Sequence, residues 1–222
     1  MISIIIPVFN EEYIIANCIL NIRATCATDQ IEIIVVDGGS DDETFAIAQE
    51  YGANVVRGKK GRASQMNLGV AVATGELLYF LHADSLTPLH FDLAILKAIQ
   101  NNAKSGCFRL AFDHKHWFLK ANSWFTRFNV NAVRFGDQSL FVFKEVFYKI
   151  GGFREDLLIM EDQEIIHRLK RQGKFIVIRD YVSTSSRKYL DNGMFRMQGI
   201  FFRIWALYYL GYPQAKILKT YK

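Results

Sequence analysis

The residues best suited to chemistry stand where apolar runs end. Gly75-Glu-Leu-Leu-Tyr-Phe-Leu-His-Ala-Asp84-Ser closes on one carboxylate and Ile31-Glu-Ile-Ile-Val-Val-Asp37 on another, while Ser3-Ile-Ile-Ile-Pro7-Val-Phe-Asn10-Glu11-Glu stops at an amide and two acids. A hard divalent cation, Mg²⁺ or Mn²⁺, prefers carboxylate oxygens and can be held by one protein carboxylate plus substrate phosphates, so Asp84 is the candidate metal ligand. The competing reading makes Asp84 a cap on the turn before Leu86-Thr-Pro88. Asp37 can accept hydrogen bonds from a base or ribose while Gly38 and Gly39 let the backbone approach a ligand. Its competing role is an N-cap, which Ser40, Asp41 or Asp42 can fill instead.

Three further clusters carry charge. Gly58-Lys-Lys-Gly-Arg62-Ala-Ser-Gln65-Met-Asn67-Leu-Gly69 is a basic glycine loop running into a helix start, suited to phosphate oxygens but equally a solvated turn. Met160-Glu161-Asp162-Gln-Glu164 can supply a general base, although acids in a first turn also favour the helix dipole. Thr184-Ser-Ser-Arg187-Lys188 brings cations to a diphosphate or an anionic acceptor, or is a solvated basic turn.

These groups need a scaffold that gathers strand ends. The apolar runs read as buried strands. Between them, Glu12 to about Ala24 (Ile14, Ile15, Cys18, Ile19, Ile22), Asp42 to Tyr51, Ser64 to about Thr74 and Leu89 to Asn101 carry helical spacing, with a short strand at Val55-Val56. A βαβα order predicts an α/β fold: a mostly parallel sheet with helices on both faces, and ligands at the carboxyl ends of its strands. Asp84 is therefore expected where its strand leaves the sheet. The first turn lacks GxGxxG, which argues against a dinucleotide cofactor, and no P-loop is present. From Gly106 the texture turns aromatic (Trp117, Phe118, Trp124, Phe125, Phe128, Phe135), and a strand is expected near Ser139 to Phe143. The chain reads as a single domain, 1–222, with a ligand-binding half at 1–105, a second half at 106–180 that completes the sheet and adds a facing wall, and a helical extension at 181–222.

The 27 Lys and Arg exceed the 22 Asp and Glu by five, which suits a phosphorylated substrate or an anionic membrane surface, and no basic block with interleaved aromatics points to nucleic acid. Three cysteines without a CxxC pair argue against a disulfide framework or a zinc site, so a reducing, cytoplasmic setting is expected. Ile204 to Tyr212 is apolar but shorter than the roughly 20 residues of a membrane span. With Arg196, Arg203, Lys216 and Lys219 around it, the stretch from Phe195 suits a membrane surface, a core or a homodimer interface.

Taken in order, Ser3-Ile-Ile-Ile-Pro-Val-Phe-Asn-Glu-Glu, Val36-Asp-Gly-Gly-Ser-Asp-Asp, Gly61-Arg-Ala-Ser-Gln-Met, Asn67-Leu-Gly-Val-Ala-Val-Ala-Thr-Gly-Glu, Leu81-His-Ala-Asp-Ser, Gly136-Asp-Gln, Gly151-Gly-Phe and Met160-Glu-Asp resemble a family 2 glycosyltransferase of the GT-A fold, of a short stand-alone type. The resemblance runs to about Gly173. It implies inverting, metal-assisted transfer from a nucleotide sugar, UDP being the preferred base, to an unidentified saccharide, lipid or small-molecule acceptor. It also implies that Pro7, Asn10, Glu11, Asp37 and Gly38 surround base and ribose, that Arg62, Gln65 and Asn67 approach ribose or diphosphate, that Asp84 binds metal, and that Asp162, with Glu161 beside it, deprotonates the acceptor. Two departures stand out: the family DxD is His82-Ala-Asp84 here, and Gly38 occupies a position where many members carry Asp. Alternatives are a polyprenyl-phosphate transferase at the membrane surface, a non-catalytic nucleotide-sugar binder, or a nucleotidyltransferase, which would more naturally open on a basic glycine-rich loop.

Overall fold

The computed structural model describes residues 1–131 and 138–221. Its elements run β1 (Ile2–Val8), α1 (Ile15–Thr25), β2 (Ile31–Asp37), α2 (Thr44–Glu50), β3 (Asn54–Arg57), α3 (Arg62–Val72), β4 (Leu77–Phe80), β5 (Ser85–Leu86), α4 (Phe91–Gln100), β6 (Ala103–Phe112), α5 (Trp117–Phe125), β7 (Leu140–Phe143), α6 (Lys144–Lys149), α7 (Glu161–Leu169), β8 (Lys174–Thr184), α8 (Arg187–Asn192), α9 (Met194–Tyr209) and α10 (Gln214–Tyr221). Among the described residues the strands form one sheet ordered β3-β2-β1-β4-β7-β6-β8-β5. The first four pair in parallel, as the βαβα order requires. β7 runs antiparallel to both β4 and β6, β8 returns parallel to β6, and β5 closes the edge antiparallel to β8.

Alternation along each strand divides the core. Ile4, Ile6, Val8, Ile33 and Val35 face α1 and α4 (Ile15, Ile19, Ile22, Phe91, Ile95), while Ile5, Ile34 and Val36 face α3 and α7 (Met66, Val70, Ile165, Leu169). Each fully buried Ile or Val contributes roughly 1.5–3 kcal/mol. On the second face α3 lies close to the sheet because residue 69 has no side chain: a Cβ there would meet Ile5 Cγ2 at 2.4 Å and Val36 Cγ2 at 3.1 Å.

Two boundaries differ from the sequence expectation. α1 begins at Ile15 rather than Glu12, because the preceding loop is tied to the start of α2: the Glu11 N–H donates to Thr44 Oγ1 and the Glu12 N–H to Asp42. β4 ends at Phe80, so Asp84 lies not at a strand end but in the turn to β5, closed by the Ser85 N–H donating to the His82 carbonyl. The ends of β1 and β2 coincide, with Val8 opposite Asp37, and that edge is where the site is assembled.

Candidate active site

A buried amide joins the carboxyl ends of β1 and β2. Gln65, in the first turn of α3, donates through Nε2 to the carbonyls of Val8 and Val36, each at 2.8 Å, and accepts the Gly61 N–H at Oε1. Gln65, expected at the donor, thus has both amide hydrogens and the amide oxygen on backbone, and only 4% of the residue is exposed. Asn67, also expected near the donor, is half-buried and bonded within the protein. Its amide donates to the Phe153 carbonyl and to Glu155, and its Oδ1 accepts the Phe153 N–H, pinning the loop after α6 onto α3. Gly38 is buried, its N–H donates to the Val8 carbonyl, and a Cβ there would sit 3.1 Å from the Gln65 amide.

Asp37 is 1% exposed. Its Oδ1 accepts from the Ser40 N–H and hydroxyl, while its Oδ2 has no hydrogen-bond partner. Ser40 is thus held by Asp37 instead of capping α2; Asp42 accepts the Thr44 N–H there. Asn10, in the left-handed region at φ +55°, accepts the Asp41 N–H on its side chain and donates its own N–H to Ser40. A buried carboxylate oxygen without a donor is costly, so Asp37 is the strand-end group most in want of a ligand.

The charges beyond these strand ends form one network. Burial raises the pKa of Glu11 above its ordinary value, the Arg187 cation opposes that shift, and the Asp84 carboxylate adds to it, so Glu11, Asp84, Arg187 and Lys188 feel one another. The junction is fixed by the Ser185 N–H donating to the Asp84 carbonyl at 3.2 Å. Arg62 opens α3, and its Nη2 reaches His82 Nε2 at 2.7 Å while its Nε stands 3.4 Å from Glu161. A guanidinium can only donate, so the imidazole accepts and is neutral. Burial, then the Arg62 and Lys188 cations, holds the His82 pKa well below its usual value, in agreement. Glu161 is 2% exposed and lies against Arg62, whereas Asp162 is more open.

Two clefts meet here. A narrow one is lined by Pro7, Arg62, His82, Glu161 and Asp162. A wide one, open to solvent, is lined by the charged Arg62, Asp84, Asp162 and Lys188 and by the aromatic Phe112, Tyr189, Phe201 and Trp205. Arg62 and Asp162 border both. Sequence reasoning did not find His82 as a partner of Arg62, nor the wall built by α8 and α9; Gln198, Phe201 and Trp205, at helical spacing, were the available signal. Of Gly136-Asp137-Gln138, the first two lie outside the described residues, and Gln138 is buried with its amide toward the Phe108 and Thr126 carbonyls. Among the described residues no three carboxylate, imidazole or thiolate groups converge as a metal cage. Asp84 on an open cleft does fit a hard cation that takes its remaining ligands from phosphate and water.

Known proteins share this architecture. A mannosyltransferase from Pyrobaculum calidifontis, solved with GDP-Man and Mn²⁺, superposes with a TM-score of 0.68 at 20% identity over 82% of this chain and 56% of that one. TarS of S. aureus, residues 1–349 with UDP-GlcNAc, gives 0.66 at 18% identity over 83% and 58%. At such identities the likeness shows the fold, which is GT-A. In sequence, a PGL/p-HBAD biosynthesis glycosyltransferase of Mycobacterium bovis is 40% identical over 92 residues, 38% of this chain and 35% of the relative. The glycosyltransferase YfnE of Bacillus subtilis is 27% identical over 105 residues, 45% and 27%. The matches thus span about a third or less of these relatives' length. Residues 3–155, more than half of the chain, match the glycosyl transferase family 2 profile, and the chain belongs to that family.

Proposed function

We propose that this protein transfers a sugar, with inversion, from a nucleoside diphosphate sugar to an acceptor hydroxyl. The observation that carries the reading is the meeting of Asp84, Asp162 and Arg62 on one cleft that aromatic side chains also line. In this reading Asp37, with its unpartnered Oδ2, Pro7, Asn10 and Glu11 take the base and ribose at the ends of β1 and β2. Arg62, with Arg187 and Lys188, draws the diphosphate by charge. Asp84 would hold Mg²⁺ or Mn²⁺, which when bound would supply positive charge to the departing diphosphate.

Asp162 accepts the proton of the acceptor hydroxyl. The acceptor oxygen bonds to the anomeric carbon, and the bond from that carbon to the phosphate oxygen breaks, its electron pair leaving with the nucleoside diphosphate. Glu161 is better suited to steadying Arg62 than to taking this proton, since it is buried and ion-paired. Phe112, Tyr189, Phe201 and Trp205 give an acceptor ring or chain an apolar bed in the same cleft as Asp162. UDP is the preferred nucleotide, carried from the family resemblance.

The test is a melting panel with UDP, GDP, CDP and dTDP, each with and without Mn²⁺, followed by nucleotide release from the matching sugar donor. One nucleotide is expected to raise the melting temperature in a metal-dependent way, and Asp162→Asn to keep that shift while losing release. No shift with any nucleotide, or undiminished release in Asp162→Asn, would overturn the proposal.

A further inference from the structure

α9 has two faces. Gln198, Phe201, Ile204 and Trp205 line the wide cleft, while Phe195, Phe202 and Tyr209 recur at seven-residue intervals on the outside, with Arg196 and Arg203 beside them. Phe195 and Phe202 are each 66% exposed. α5 continues this surface. Its Phe118 ring meets Phe195 at 5.1 Å, and Asn122 donates to Gln198 at 2.9 Å, so the two helices advance side by side in the same direction. Trp117, Trp124, Phe125 and Phe128 stay exposed along it, with the Arg127 guanidinium 4.5 Å from the Trp124 ring.

Charge identifies what this face suits. Residues 114–131 and 194–222 hold eight of the 27 basic residues and none of the 22 acidic ones. The other 19 basic residues are outnumbered by those 22 acids, so the entire positive excess of the protein sits on these two segments. A second copy packed here about a two-fold axis would set arginine and lysine against arginine and lysine with no carboxylate to neutralise them. An anionic bilayer answers both features: phosphates for the cations and an acyl boundary for the aromatic rings.

We propose that the α5–α9 face docks on an anionic membrane surface. Docking there leaves α9 as the partition between bilayer and cleft, with Asp84 and Asp162 on the protein side. This inference is independent of the transfer reaction, because binding is read without turnover.

The experiment is co-sedimentation of the full chain with phosphatidylcholine vesicles and with vesicles of phosphatidylcholine and phosphatidylglycerol. The protein is expected to pellet with the anionic vesicles, to remain in solution with the neutral ones, and to be released in 1 M salt, where the Debye length falls to about 3 Å. Arg196→Glu/Arg203→Glu should weaken partitioning on the order of a thousandfold, since each basic residue at the surface contributes about 1 kcal/mol and both charges are reversed. Phe195→Ser/Phe202→Ser should weaken it with little change in salt dependence. All four positions are exposed, and an unchanged melting temperature checks that the variants are folded. Absence of pelleting with anionic vesicles would overturn the inference. So would variants that pellet like the parent, or a dimer in sedimentation velocity that the Phe195→Ser/Phe202→Ser change dissolves.

Discussion

Gln65→Met separates two explanations of a residue in the glycine-loop motif. If the amide is a clamp between β1, β2 and the loop at Gly61, its loss strips one hydrogen bond from each of Val8, Val36 and Gly61. The Val8 carbonyl keeps the Gly38 N–H. At about 1 kcal/mol for each net bond, the loss is about 3 kcal/mol, which for a chain of this size lowers the melting temperature by roughly 6–12 °C. Methionine approximates the volume, so little of the effect is cavity formation. If Gln65 instead contacts the donor, stability should be unchanged and only nucleotide affinity should fall. Urea unfolding of parent and variant, followed by nucleotide titration, reads both quantities. A variant as stable as the parent that binds nucleotide poorly would refute the clamp.

Asp84→Ala should leave the unliganded melting temperature nearly unchanged and abolish the metal-dependent part of the nucleotide shift; a preserved shift would remove Asp84 from metal binding. Gly69→Ala should destabilise by about 1–3 kcal/mol despite the better helix propensity of alanine, because its Cβ would meet Ile5 at 2.4 Å, and denaturant midpoints would measure this. For Glu32, burial opposes ionisation, but hydrogen bonds from Ser3, Thr74 and Gly75 prevail and depress its pKa below 4.5. Its contribution to stability is therefore present above pH 4.5 and lost as pH falls through the lower folded-state value. Glu32→Gln should flatten that acid limb when unfolding is followed between pH 6 and 3, and an unaltered limb would count against the assignment.

How much was legible depended on whether local pattern and tertiary surroundings agreed. β1, β2 and the helices after them announced themselves through Ile and Val runs and helical spacing, because each packs one clear face. β6 and β8 did not. Lys104, Gly106 and Arg109 interrupt the first, and in the second Arg179 and Asp180 fall in a register shift, where Phe108 pairs with Ile178 but Arg109 pairs with Tyr181. Two additional residues in one strand destroy the period-two signal. In the site, the carboxylates of Asp37, Asp84 and Asp162 could be named from their positions after apolar runs or at a helix start. For Gln65 and Asn67 the partner was not legible, because an amide serves a ligand or a backbone carbonyl equally well, and it is the approach of α3 to the sheet that brings them against backbone.

His82 illustrates the same limit from the other side. Read against the DxD pattern it is a missing metal ligand; in the structure it is the neutral acceptor that, with Glu161, holds Arg62 at the meeting of the two clefts. A carboxylate at position 82 would add another negative charge close to Asp84 and Glu161, in a region where Asp84 already helps to raise the pKa of Glu11. An imidazole avoids that repulsion and still accepts the guanidinium, since its pKa is held down by burial and by the cation it faces. The substitution thus removes a formal ligand for a cation and leaves an oriented one, Arg62, beside Asp162. Asp84 remains the sole carboxylate of the pattern on the cleft, which is why the consequences of replacing it should be confined to metal-dependent binding.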